Sequence, residues 1–150
     1  MSELELRRVL PAPPTVVWAA LTDPAELAQW WGPEGFNLPD ATFAAAIGES
    51  YRFTMQPPEG APFALAGVVL EADPPARLAY TFNWEPPDPD DVETEVRLAL
   101  RAIGGSTELA LAQGPFATDA RLALHRDGWS QSLDRLARRL SRGGRSRATS

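Results

Sequence analysis

The 150 residues are 44% apolar and include five tryptophans, six phenylalanines and two tyrosines, enough for a sizeable core within one domain. The chain has no cysteine, one histidine and fourteen basic residues that are all arginine. That excludes disulfides, thiolate nucleophiles, a histidine-built metal site, Schiff-base chemistry and a P-loop lysine. The net charge of −6 divides unevenly: residues 121–150 carry +6 and the first 120 carry −12, so the body repels phosphate backbones and nucleic-acid binding is not expected.

The first predicted element is a strand over residues 3–10, where Leu4 and Leu6 alternate with Glu3, Glu5 and Arg7. Pro11-Ala12-Pro13-Pro14 ends it and opens a short helix with Val16, Val17, Ala20 and Leu21 on its apolar face. A second short helix starts at Asp23-Pro24-Ala25-Glu26, with Asp23 as cap, Pro24 in the first helical position and Glu26 at the capping-box spacing. It presents Leu27, Trp30 and Trp31 before Gly32-Pro33-Glu34-Gly35 breaks it.

From residue 41 to 113 the period is two. Tyr51, Phe53 and Met55 share one strand face, Phe63–Glu71 forms the next strand, and Leu78, Tyr80, Phe82 and Trp84 share a face of the one after. Pro57–Gly60 and Asp73-Pro74-Pro75 mark the turns between them. Glu85–Asp91 reads as a solvated, acidic, proline-stiffened loop without calcium-loop spacing. Val92, Thr94, Val96, Leu98 and Leu100 then alternate with charged residues, and Gly104-Gly105 leads into Thr107, Leu109 and Leu111. Connections this short predict an antiparallel meander.

The last predicted element is a helix from Asp119 to about Arg142. Leu122, His125, Trp129, Leu133, Leu136 and Leu140 form one apolar stripe, with Arg135, Arg138 and Arg142 on the opposite side. Gly128 within it suggests a close approach by the sheet. Gly143-Gly144 is read as the helix stop and residues 143–150 as a flexible basic tail. The expected architecture is α+β: a curved antiparallel sheet of six to seven strands wrapped around a long C-terminal helix, in a single domain over residues 1–142. No apolar run approaches a membrane span and the N-terminus lacks a signal-peptide pattern, so a cytoplasmic location is expected.

Several segments carry a resemblance: Pro13–Leu21, Asp23-Pro24, Trp30-Trp31-Gly32-Pro33-Glu34-Gly35-Phe36, Gly48, Tyr51-Arg52-Phe53, Gly67–Glu71, Pro74–Leu78 and, most specific, His125-Arg126-Asp127-Gly128-Trp129-Ser130-Gln131-Ser132-Leu133. Over residues 3–141 the chain resembles the activator of heat-shock protein 90 ATPase homologue-like family of the START-like, helix-grip superfamily. The resemblance implies a helix-grip fold with a cavity between sheet and C-terminal helix, suited to a hydrophobic small molecule.

The candidate cavity residues follow from the aromatic inventory. His125, Trp129 and Leu133 are expected on the helix wall, and Tyr51, Phe53, Tyr80, Phe82 and Trp84 on the sheet wall. Trp30, Trp31 and Phe36 are expected at a mouth or lid. His125 or Tyr80 would orient one polar group of the ligand. As the only imidazole, His125 is open to three uses: a packed core histidine, a ligand contact or a general acid/base. The expected activity is binding of an aromatic, polyketide-like or lipid-like molecule, without metal, cofactor or covalent nucleophile. The alternatives are a cyclase-like enzyme using the same cavity and a stress-related co-chaperone, whose partner would dock on the basic face of the C-terminal helix.

Overall fold

The computed structural model describes residues 2–149, with side chains through 142. The chain runs β1 (Ser2–Leu10), α1 (Pro14–Thr22), α2 (Pro24–Trp30), β2 (Asn37–Thr42), β3 (Ser50–Gln56), β4 (Phe63–Asp73), β5 (Arg77–Glu85), β6 (Thr94–Ile103), β7 (Ser106–Phe116) and α3 (Asp119–Thr149). The expected helix stop at Gly143-Gly144 and the basic tail fall outside the residues with described side chains.

The seven strands form one antiparallel sheet in the order β1-β7-β6-β5-β4-β3-β2. A meander from β2 to β7 is completed by β1, which returns to pair with the last strand. The period-two reading places side chains on the correct faces. Tyr51, Phe53 and Met55 are buried, as are Leu78, Tyr80 and Phe82, then Val96, Leu98 and Leu100. Arg52 and Arg97 lie on the outer face, paired with Glu85 at 3.0 Å and Glu3 at 2.7 Å. Against the inner face lies the stripe of α3, with Trp129, Leu133, Leu136 and Leu140 all buried. Each such leucine contributes about 1.5–3 kcal/mol by leaving water. This is the helix-grip architecture.

The short helices close one end of the sheet. Asp23 caps α2 by accepting from the Ala25 amide at 3.0 Å, with Pro24 following in the first turn. Glu26 does not complete a capping box; its carboxylate instead binds Arg139 of α3 at 3.0 Å. Trp30 is fully buried and donates through Nε1 to the Ala20 carbonyl at 2.9 Å, joining α1 to α2.

Two strand boundaries differ from expectation. β2 starts at Asn37, earlier than the change of period, because its pairing with β3 begins at Asn37–Gln56 and includes a register shift before Asp40. β6 starts at Thr94, and Val92 stays in the preceding loop, half exposed. Between β4 and β5 the backbones approach closely at Gly67, where a Cβ would lie 2.0 Å from the Thr81 carbonyl oxygen. The Thr81 hydroxyl accepts from the Val68 amide nearby at 2.8 Å. Among the described residues no helix is long and apolar enough to cross a membrane.

Candidate functional site

A cavity of about 420 Å³ lies between the β3–β5 part of the sheet and the first half of α3. Its buried walls are Trp31, Met55, Leu65, Phe82 and Trp129; Phe63 and Trp84 flank them, and Pro86, Asp88 and Leu124 form an exposed rim. On α3 the contributing positions Arg121, His125, Gly128, Trp129 and Ser132 recur at three- and four-residue steps, so one helix face supplies that whole wall. The aromatic rings interlock edge to face: Trp31 meets Trp129 at 5.0 Å, Phe82 meets Trp84 at 5.0 Å, and Phe63 meets Trp84 at 5.4 Å.

Two loops border the opening, and arginines of α3 hold both. Arg135 Nη1 lies 2.9–3.3 Å from the carbonyl oxygens of Trp31, Gly32, Pro33 and Phe36. The same loop is tied by the Glu34 amide, which donates to Gln131 Oε1 at 3.0 Å, and by an Arg138–Glu34 ion pair. Gly32 (φ 97°) and Gly35 (φ 87°) supply the left-handed turns that let the chain fold back onto the helix. Arg135 therefore does not sit on a solvated side of α3, as helix phase alone implies; its long side chain reaches round to a loop that sequence periodicity does not locate.

The second loop, Glu85–Asp91, is exposed over residues 85–89, as a solvated loop should be, but its aspartates are paired. Arg121 binds Asp88 at 2.6 Å, Asp90 at 2.9 Å and Asp91 at 3.4 Å, and the Asp91 carboxylate also accepts from the Asp88 amide at 2.7 Å. Hydrogen bonding to Asp88 raises the Arg121 pKa above its ordinary value, with the neighbouring aspartates adding to the effect.

Of the expected site residues, Trp31, Phe36, Phe82, Trp84, His125 and Trp129 line the cavity. Trp30, Tyr51, Phe53, Tyr80 and Leu133 do not: they are packed in the core. Tyr51, Phe53 and Tyr80 share the correct sheet face, but Phe43 covers that end of the sheet, with its ring 5.5–6.1 Å from all three. Burial drives the pKa of both tyrosines upward, and the Tyr51 hydroxyl donates to the Thr81 carbonyl, so neither serves as a polar contact in the cavity. Met55, Phe63, Leu65 and Arg121 were missed as lining residues. Strand parity points to Met55, and the one-turn spacing before His125 points to Arg121.

The polar atoms of the wall are largely engaged within the protein. Trp84 Nε1 donates to His125 Nε2 at 2.9 Å, and His125 Nδ1 faces the Arg121 carbonyl at 2.9 Å, which makes Nδ1 the protonated nitrogen. Burial lowers the His125 pKa, so the ring is neutral and both of its nitrogens are occupied. Trp129 Nε1 donates to the fully buried Gln113 at 2.7 Å, and Gln113 Nε2 donates to Thr94 at 2.9 Å. Ser132 donates to the Gly128 carbonyl at 2.8 Å. Gly128 itself faces the cavity rather than an approaching strand; a Cβ there would sit 3.8 Å from Pro33 Cγ. Among the described residues, no cluster of histidine, aspartate and glutamate could hold a metal ion.

A family model, Activator of Hsp90 ATPase homolog 1-like protein, matches residues 11–141. The chain belongs to this family. Solved structures agree. A Chromobacterium violaceum protein superposes with a TM-score of 0.83 at 30% identity, covering 92% of this chain and 96% of its own. A Silicibacter pomeroyi member of the family gives 0.82 at 29%, covering 93% and 98%. A protein of the dynemicin biosynthetic locus gives 0.77 at 25%, covering 95% of this chain and 48% of its own. A search of curated protein sequences finds no significant match.

Proposed function

We propose that this domain binds an apolar, ring-containing small molecule in the cleft between the sheet and the first half of α3, and acts by holding it rather than by transforming it. The observation that carries this reading is the cavity itself. Its volume of about 420 Å³ falls within the ~300–1,000 Å³ usual for small-molecule sites, and its walls are predominantly aromatic and aliphatic. Membership of the family supports the reading, since the START-like resemblance implies a hydrophobic ligand in this place. The neighbour from a biosynthetic locus supports a small-molecule occupant as well. The engaged state of His125 speaks for a wall rather than a proton-transfer group, because Nε2 is taken by the contact that holds α3 to β5 and Nδ1 by a carbonyl of α3 itself.

The test is a thermal-shift screen against flavonoids, sterols, fatty acids and polyketide-like aromatics, repeated on Trp129→Ala. A ligand at 100 times its dissociation constant adds ~2.7 kcal/mol of stability. For a domain of this size that is a rise of roughly 5–10 °C. A saturable shift in the wild type that is lost in a folded Trp129→Ala protein is expected. Silence across the whole panel would remove small-molecule binding as the function.

A further inference from the structure

The polar atoms around the cleft restrict which aromatic molecules fit. This inference rests on the proposed function and sharpens it. Carboxylates are recognised by free cations or free N–H and O–H donors, and few are available here. The Trp84, Trp129 and Ser132 donors are directed to His125, Gln113 and Gly128. His125 Nδ1 is turned to the Arg121 carbonyl. The guanidinium of Arg121 already faces three carboxylates, Asp88, Asp90 and Asp91, which leaves the rim with a net negative charge.

One lining donor is different. Trp31 is 94% buried, with a relative exposure of only 6%, yet its indole N–H makes no hydrogen bond among the described residues. That nitrogen is not among fully sealed, unpartnered polar atoms either, since the described residues contain none. Trp31 lines the cavity, so a ligand there lies against this side chain. An indole N–H held among Trp30, Phe53 and Trp129 is a fixed donor, with a cost if a ligand covers it without supplying an acceptor.

We propose that the cleft selects uncharged aromatic molecules bearing a carbonyl or hydroxyl oxygen, which accepts from the Trp31 indole N–H, and rejects aromatic carboxylates. The Trp31 contact gives the preference for an oxygen-bearing ligand over a plain hydrocarbon, and the acidic rim gives the rejection.

Three probes of one ring system separate the contributions by calorimetry: naphthyl methyl ketone, ethylnaphthalene and naphthoate. The ketone is expected to bind about fivefold more tightly than ethylnaphthalene, in line with one neutral hydrogen bond. Naphthoate is expected to bind at least about tenfold more weakly than the ketone, with the gap narrowing at high salt and in Asp88→Asn. Asp88 is largely exposed, so that variant is not expected to disturb folding. In Trp31→Phe the ketone should lose its advantage over ethylnaphthalene. If that variant fails to fold, the Trp31 indole N–H resonance of the wild type gives the same information. It should move downfield with the ketone and not with ethylnaphthalene.

Naphthoate binding as tightly as the ketone, or an unmoved Trp31 resonance at saturation, would overturn the proposal while leaving the cavity as a binding site. If ethylnaphthalene and the ketone both fail to bind, the cavity reading itself falls and takes this selectivity with it.

Discussion

Trp84 and His125 face each other across the space between β5 and α3, the indole N–H donating to Nε2 of the chain's single imidazole at 2.9 Å. Because the other ring nitrogen is held by the Arg121 carbonyl, protonation of Nε2 would turn an acceptor toward a donor. Burial lowers the pKa against the opposing pull of the Arg121 carbonyl and Asp91, and the ring stays neutral.

The sign of the pH effect follows. The folded pKa lies below the ordinary 6.5, so the unfolded chain takes up a proton that the folded protein refuses. Stability from this group is complete above pH 6.5 and falls as pH drops below it toward the folded pKa. The imidazole resonances, unique in the spectrum, should titrate with a midpoint below 6.5. His125→Gln should flatten that part of the stability profile. A midpoint at or above the ordinary value would mean that the Trp84 contact does not hold in solution.

Arg135 anchors the loop beside the cavity through four backbone carbonyls. Replacing it by alanine leaves those acceptors without their charged donor, at a cost of roughly 1.5–3 kcal/mol. All four contacts are made by the one nitrogen Nη1, so lysine, which restores a charged donor on a shorter side chain, should recover part of the loss. Urea denaturation gives the magnitude. Limited proteolysis should show new cleavage within residues 32–36 of Arg135→Ala. Equal stability of the alanine and wild-type proteins would show that the loop is held by its own packing.

Gly128→Ala should have opposite effects on fold and ligand. A helical alanine is favoured over glycine by about 1 kcal/mol, and the added methyl has ordinary van der Waals clearance from Pro33. The same methyl projects into the cavity, so thermal stability should rise while ring-ligand affinity falls. A rise in both would place the ligand elsewhere.

Gly67→Ala is the severe case on the sheet. The methyl would have to occupy space within 2.0 Å of the Thr81 carbonyl, so β4 and β5 must separate where Val68 bonds Thr81. A loss of roughly 3 kcal/mol, the upper part of the range for overpacking, is expected in chemical denaturation. A change under half of that would mean the strands part there easily.

Much of the frame was legible because alternation and helical phase are local properties. Val96, Leu98 and Leu100 against Arg97 and Arg101 state which way β6 faces, and the leucines of α3 state which side meets the sheet. How far a cavity extends along a strand is not local. Tyr51, Phe53 and Tyr80 have the correct parity but are capped by Phe43, a lone ring in an Ala-rich stretch outside the predicted strands. The ion pairs of the acidic loop were not legible because their partner, Arg121, is about thirty positions away, and charge runs do not announce distant counterions. Arg135 was misplaced for a related reason: a helical wheel locates a Cα, whereas a side chain of this length reaches several ångströms further.

The buried chain Trp129–Gln113–Thr94 has a consequence for how the long helix seats itself. Leucines spaced at three and four residues define a face, but a face repeats; sliding α3 by one turn would still lay leucine against the sheet. It would also strand the Trp129 indole N–H and the Gln113 Oε1 in an apolar interior, at ~1–3 kcal/mol for each orphaned group, while Gln113 Nε2 stays bonded to Thr94 within the sheet. The hydrophobic stripe thus fixes the rotation of the helix, and one glutamine on β7 fixes its axial position, as a detent sets a sliding rod.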